Sequence, residues 1–281
     1  MIAAIGNKPK LSISRRKPMI KLVAVDMDGT FLRADQSYDE ARFAQLFAEM
    51  TKRKMHFVVA SGNQYFHLKA SFPDYPDLIY IAENGAYIRD AHQIYQKAVF
   101  TQAQLTHMLN VLKDFPTCKV LLSGVNSAYV LADNDQAFID DRHFYYDQLA
   151  TVTSFDEVDD EILKIGITCP DDETDQIVEA LREPLKGVAE PTSRGHGDID
   201  LIHPGIHKAA ALASLGNWLK VDLEDMAAFG DGGNDIEMLK AVGLGVAMQN
   251  VTPAVKAIAD DETAEDNEGQ GVLNYLEHLL K

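Results

Sequence analysis

The sequence predicts an α/β fold: a doubly wound, Rossmann-like parallel sheet with an inserted α+β cap domain. Three observations predict it. Short apolar, β-branched runs alternate with helical stretches after the first turn of sequence, the pattern of strands buried on both faces of a parallel sheet. The middle of the chain changes to short alternating strands mixed with helices. The first pattern then resumes to the end, so one domain is split around another. The expected boundaries are residues 19–85 and 202–281 for the core and 86–201 for the cap.

The run Ile20 to Val25 ends on Asp26 and is expected to be the first strand. Asp39 caps a helix whose Phe43, Leu46, Phe47 and Met50 recur at helical spacing, and Phe57 to Ala60 follows as a second buried strand. A helix beyond Gly62 and the run Leu78 to Ala82 continue the alternation, and right-handed crossovers place these strands in one sheet. Glu83-Asn84-Gly85-Ala86 contains an Asn-Gly hairpin signal, after which the cap begins. Within the cap, strands are expected at Ala86 to Ile88, Val120 to Leu122 and Leu163 to Ile167. Helices are expected around Leu105, Met108, Leu109 and Leu112, and at Thr174 to Leu181, giving a largely antiparallel sheet with helices. From Ile202 the core returns with a helix from His207, strands Met226 to Phe229 and Leu244 to Ala247, a helix after Asn234, and a last helix ending near Leu280. Leu212, Leu215 and Trp218 are expected to be core positions of the helix from His207. The acidic stretch Asp260 to Glu268 reads as a solvated loop.

Composition narrows the functional classes. The 281 residues are 46% apolar, enough for a large core, and 43 acidic against 26 basic side chains give a net charge of −17. That balance repels nucleic acid and anionic membrane, and no long apolar run is present, so neither is expected as a partner. Cys118 and Cys169 match no metal or redox spacing and cannot staple a chain this size, which points to a reducing cytoplasm. Residues 1–18 carry Lys8, Lys10, Arg15, Arg16 and Lys17 without an apolar signal core, and are expected to be a disordered extension. Either a monomer or a homodimer fits.

Chemistry concentrates where strands end. Asp26-Met27-Asp28-Gly29-Thr30 follows the first strand, and two carboxylates spaced by two residues can face one centre. Alone, such a pair is an ordinary turn feature. Ser61 and Gly62 follow the second strand, where a hydroxyl and free backbone N–H groups can hold a phosphate dianion. Lys208 opens the helix after Pro204-Gly205, where an ammonium can neutralise charge on a transferring phosphoryl group. Gly230-Asp231-Gly232-Gly233-Asn234-Asp235 brings two more carboxylates to the same edge. Singly, Ser61 is a helix cap and Lys208 a solvated lysine; four strand ends converging on one edge are not coincidence. So many acids repel unless a divalent cation compensates, and an all-oxygen site that must also touch phosphate suits Mg²⁺.

These four segments resemble, in order, spacing and strand context, the motifs of the haloacid dehalogenase superfamily, over roughly residues 19–281. The long insert between the Ser61 and Lys208 segments, with Glu83 to Ala86 and Gly230 to Asp235, looks like the Cof-type branch with a C2-type cap. Val59 to Tyr65 and Asp200 to Ala209 are most similar to the SupH/YbiV sugar phosphatases. The resemblance implies that Asp26 attacks phosphorus and becomes an aspartyl phosphate, while Asp28 protonates the leaving alkoxide and later activates water. It implies Mg²⁺ held by Asp26, the backbone carbonyl of Asp28, and Asp231. The phosphoryl oxygens fall to Ser61, the N–H groups of Met27 and Gly62, Lys208 and Asn234, with Asp235 behind them orienting Lys208 or a metal-bound water. Many Cof-type relatives have arginine where this chain has Asn63, and an amide replaces neither the charge nor the fork of donors.

The expected function is therefore Mg²⁺-dependent hydrolysis of a small phosphate monoester, a sugar phosphate in particular. A phosphomutase is the alternative within the superfamily. A phospho-accepting signalling module is the alternative outside it, and such modules need no long cap. Arg194-Gly195-His196-Gly197 is expected to be a cap loop whose Arg194 and His196 reach over a bound sugar, alongside Asn63. His203 and His207 have i,i+4 spacing, but Pro204 and Gly205 between them argue for structural roles, and His67 is expected on a partly exposed helix face.

Overall fold

A computed structural model of the chain describes residues 19–195 and 197–281. The expected extension over residues 1–18 and His196 lie outside the described residues. In chain order the first elements are β1 (Leu22–Val25), α1 (Glu40–Lys52), β2 (His56–Ala60), α2 (Tyr65–Ala70), β3 (Ile79–Ala82), β4 (Tyr87–Arg89) and β5 (Ile94–Lys97). The insert follows with α3 (Gln102–Leu112), β6 (Lys119–Gly124), β7 (Ala128–Leu131), α4 (Gln136–Tyr145), β8 (Leu149–Val152), β9 (Ile162–Thr168), α5 (Thr174–Arg182), β10 (Glu190–Gly195) and β11 (Asp198–Ile202). The chain ends with α6 (Lys208–Leu219), β12 (Met226–Gly230), α7 (Ile236–Ala241), β13 (Leu244–Ala247), α8 (Pro253–Lys256), β14 (Asp261–Glu262) and α9 (Gly271–Leu279).

The core sheet has eight strands in the order β14-β13-β12-β1-β2-β3-β4-β5. Those from β14 to β3 run parallel, with β1 central. Strict alternation divides β1 between two cores: Val23 and Val25 pack with Phe43, Phe57 and Leu276 on one face, Leu22 and Ala24 with Leu212, Leu215 and Leu239 on the other. On the first face α1 starts at Asp39, whose side chain accepts from the Arg42 N–H, a cap worth about 1 kcal/mol. Its Phe43 lies edge-on to Phe31 and Phe57 at 5.4 and 5.0 Å, contacts that add about 0.5–1.5 kcal/mol each beyond area burial.

Three expectations need correction. The hairpin of β4 and β5 falls within the range expected for the cap, yet β4 pairs antiparallel with β3 and extends the core sheet. The cause is the turn at Asn84 and Gly85, with φ of 56° and 110°, which folds the chain straight back on β3. Trp218 is not a core residue: it is 60% exposed, because the last turn of α6 overhangs β5, where its ring meets Tyr95 edge-on at 6.1 Å. The acidic stretch is more than a solvated loop, since Asp261–Glu262 form the edge strand β14 and the Glu268 carboxylate accepts from the Ala34 N–H at 2.6 Å.

The insert's sheet has six strands in the order β10-β11-β9-β6-β7-β8, antiparallel except for β7 with β8. Ile165, Ile167, Ile199 and Leu201 pack against α3 and α5 through Leu105, Met108, Ile177 and Leu181. Alternation then turns Lys164 and Asp200 to the opposite face, toward the core domain. The insert is seated on that domain. Gln64 and Gln148 exchange hydrogen bonds of 3.0 and 3.2 Å across the boundary, and His67 Nδ1 lies 3.0 Å from Asp147.

Candidate active site

β1 delivers Asp26 to the carboxyl edge of the sheet, and the Asp26 N–H donates to Phe229 O of β12 at 3.0 Å. β2 places Ser61 and Gly62 beside it, and β12 leads into Asp231. Lys208 arrives differently from expectation. The strand before it, β11, belongs to the insert's sheet, so the edge gathers three core strand ends and one helix start. That helix starts at His207, whose ring accepts from the Ala210 N–H at 3.3 Å, so His207 is a cap rather than a metal ligand. His203 stacks on Phe100 with ring centroids 3.8 Å apart, a structural role as well.

Lys208 is 1% exposed, and its ammonium lies 2.5 Å from Asp26 Oδ1 and 2.7 Å from Asp235 Oδ1. The other Asp235 oxygen accepts from the N–H groups of Asp231 and Gly232 at 3.1 and 2.9 Å. Both Asp235 oxygens are thereby engaged, one with Lys208 and one with the loop. Asp231 Oδ1 accepts from the Thr30 hydroxyl at 2.7 Å. Among the described residues no hydrogen bond reaches Asp26 Oδ2 or Asp231 Oδ2, and the carboxylates of Asp26, Asp231 and Asp235 offer oxygens all within 4.8 Å of one another.

The electrostatics follow from that crowding. Burial pushes the Asp26 carboxyl well above the usual carboxylate range; Lys208 pulls it back, and Asp235 and Asp231 push it up again. Burial also raises Asp231, with Thr30 opposing and Asp235 reinforcing. Burial works against the Lys208 ammonium, but Asp235 and Asp26 outweigh it and hold its pKa above the ordinary lysine value. Three carboxylates against one ammonium leave the cluster with excess negative charge. Hard oxygen donors with two unengaged carboxylate oxygens suit a small divalent cation. Gly29 serves the same purpose: with φ of 75°, a side chain there would put its Cβ 2.6 Å from Asp231 Oδ2.

Asp28 is exposed and stands apart from the three clustered acids. Its Oδ1 accepts from Gln36 Nε2 at 3.2 Å and its Oδ2 from Asn63 Nδ2 at 2.7 Å. Ser61 Oγ accepts from the Asn63 N–H at 3.1 Å, which leaves the hydroxyl hydrogen free to donate. Met27 is buried beneath the loop, and Asn234 sits exposed on its rim. The Asn63 amide is met from the insert, where Arg194 Nη2 donates to Asn63 Oδ1 at 3.1 Å.

Sequence reasoning missed a second buried cluster behind Gly62. Lys164 is fully buried, donating to Gly62 O at 2.9 Å, with Glu83 Oε2 at 2.9 Å and Asp200 Oδ2 at 3.3 Å. The only signal for it was a lysine inside an apolar strand run. Gln36 was missed too, since an amide in a loop carries no pattern, and Thr30, though part of the first motif, was given no role there.

Fold and site together define a phosphoryl-transfer hydrolase. Residues 23–276 match the haloacid dehalogenase-like hydrolase family, and the chain belongs to it. Within that family it is of the Cof type, and it is a phosphatase acting on small phosphate substrates. It is 37% identical over 264 residues to a 5-amino-6-(5-phospho-D-ribitylamino)uracil phosphatase of Escherichia coli strain K12, covering 93% of this chain and 97% of that protein. A phosphatase of the same description from Bacillus subtilis strain 168 is 29% identical, covering 96% of this chain and all of that protein. Among solved structures, a Streptococcus mutans UA159 protein superposes with a TM-score of 0.87 at 32% identity, covering 93% of this chain and 99% of that one. No helix among the described residues is long and apolar enough to cross a membrane.

Proposed function

We propose that the chain hydrolyses primary phosphate monoesters of sugars or sugar alcohols, with Mg²⁺, through an aspartyl phosphate on Asp26. The observation that carries this reading is the Asp26 carboxylate, gripped at one oxygen by Lys208 at 2.5 Å and unengaged at the other beside Asp231. Asp26, Asp231 and the backbone carbonyl of Asp28 would hold the cation. When bound, it neutralises phosphoryl charge and permits two anions to approach.

The protein's own residues supply the rest. Lys208 keeps Asp26 oriented and offsets charge on the phosphoryl oxygens, which Ser61, Asn234 and the N–H groups of Met27 and Gly62 also receive. An Asp26 oxygen forms the new bond to phosphorus as the ester P–O bond breaks, and Asp28 passes its proton to the departing alkoxide. Water then attacks phosphorus, Asp28 takes its proton, and Asp26 is released with inorganic phosphate. Asp235 stays behind Lys208 throughout.

The substrate class draws on the sugar-phosphatase resemblance and on the Escherichia coli relative, whose named substrate carries a phosphate on a ribityl chain. The test is phosphate release from a panel of hexose phosphates, that phosphoribityl compound, nucleotides and an aryl phosphate, with and without Mg²⁺. Release from the sugar or ribityl esters, abolished in Asp26→Asn, supports the reading. Turnover in Asp26→Asn, or turnover confined to nucleotides, overturns it.

A further inference from the structure

The Asp28 carboxylate is held by two amides, and they are not equivalent. Gln36 reaches Oδ1 at 3.2 Å from a loop of the core domain, whereas Asn63 reaches Oδ2 at 2.7 Å and is itself held from the insert. A guanidinium has donors only, so Arg194 compels Asn63 to present its carbonyl to the insert and its NH₂ to Asp28. The assignment of that amide is thus fixed by chemistry.

The insert is built to deliver Arg194 there. Between β10 and β11, Ser193 pairs with Ile199 and Gly195 with Asp198, so Arg194 is the extra residue of a β-bulge. Gly195, with φ of 83°, completes the bend. Bulges re-aim a side chain, and this one turns Arg194 off its strand toward the core. Behind it, Arg194 Nε lies 3.9 Å from Asp200 Oδ2, and Asp200 accepts from Asn84 Nδ2 at 2.9 Å. A connected path runs from the buried Asp200 through Arg194 and Asn63 to Asp28.

We propose that Arg194 and Asn63 are positioning residues for Asp28, so that its Oδ1 edge faces the ester oxygen only when the cap is seated. The inference rests on the phosphatase reading, and on Asp28 as its acid. With Oδ2 committed to Asn63, Oδ1 is the oxygen that carries the proton, after Gln36 yields its longer bond. An open cap withdraws Arg194, frees the Asn63 amide to turn, and leaves the acid unaligned. Proton transfer is coupled in this way to closure.

Leaving-group dependence tests the proposal, because an alkyl ester needs the acid and an aryl ester needs it far less. We would measure kcat and KM for a hexose 6-phosphate and for p-nitrophenyl phosphate in the wild type, Asn63→Ala, Arg194→Met, Arg194→Lys and Asp28→Asn, with melting temperatures to confirm folding. Misaligning the acid predicts that the alkyl-to-aryl ratio of kcat falls by roughly 10-fold or more in Asn63→Ala and Arg194→Met. Arg194→Lys, which retains a donor for Asn63, recovers part of it. Equal losses of kcat on both substrates, or a change confined to KM for the hexose phosphate, overturn the proposal in favour of a general structural role or direct substrate contact. If Asp28→Asn lowers the ratio and the other variants do not, this inference alone fails. If Asp28→Asn leaves the ratio unchanged, the role of Asp28 as acid fails and the inference goes with it.

Discussion

Lys208 and Lys164 are chemically alike and stand in clusters of different charge balance. Each ammonium is buried between two carboxylates: Lys208 between Asp26 and Asp235, Lys164 between Glu83 and Asp200. Around Lys164 the charges balance. Ser123 donates to Glu83 at 2.8 Å, Asn84 to Asp200 at 2.9 Å, and the Arg194 guanidinium adds a second cation 3.9 Å from Asp200. Around Lys208 they do not, because Asp231 adds a third carboxylate and Asp26 keeps 11% of its side chain open. The balanced cluster joins the insert to the core, and in the proposed mechanism the unbalanced one is completed by a cation and a phosphate.

That difference can be broken deliberately. Lys208→Met should lower kcat by about 10³-fold, the scale of losing one charge-stabilising group at a transferring centre. Adding Asp235→Asn should recover thermal stability without recovering turnover; restored turnover would show that Lys208 is only structural.

Lys164→Met should act on stability first. It strands two buried carboxylates, and breaking such a pair costs about 3–5 kcal/mol, read by denaturant unfolding. Neutralising both with Glu83→Gln and Asp200→Asn should return most of that loss. A Lys164→Met protein as stable as the wild type would contradict the latch.

A smaller effect sharpens the contrast through pH. Asp26 and Asp231 have carboxyl pKa values raised above 3.8 in the folded state. Their contribution is therefore fully present below 3.8 and is lost as pH rises through the raised values. Near neutral pH the metal-free protein carries that strain, and the proposed mechanism has a divalent cation relieve it. Mg²⁺ at about 100 times its Kd should add roughly 2.7 kcal/mol at neutral pH, and less at pH values where the carboxyls are protonated. Thermal shifts across pH, with EDTA as the control, check this. An equal Mg²⁺ shift at every pH would count against Asp26 and Asp231 as the ligands.

How much of this was legible depended on distance along the chain. The Lys208 cluster could be read because Asp26 and Asp231 directly follow apolar strands and inherit their places from β1 and β12, with Asp235 one turn further on. The Lys164 cluster could not, since Lys164 and Gly62 lie 102 positions apart and meet only once the cap docks. Sequence pattern carries period and adjacency; it carries no docking geometry. The same limit explains Arg194, visible as a polar residue near glycines, whose bulge and contact with Asn63 are facts of pairing. Trp218 failed for a local reason, as helical spacing matched the core while the sheet ended beneath it.

In the proposed mechanism Asp26 becomes covalently phosphorylated. Acid-quenched single turnovers with a sugar phosphate and Mg²⁺, followed by peptide mass mapping, test it most directly. A phosphoryl group on Asp26 at early times, decaying as inorganic phosphate appears and absent in Asp26→Asn, is the predicted result. Full phosphate release at wild-type rate with Asp26 unmodified at every time point, and matched by Asp26→Asn, would contradict it.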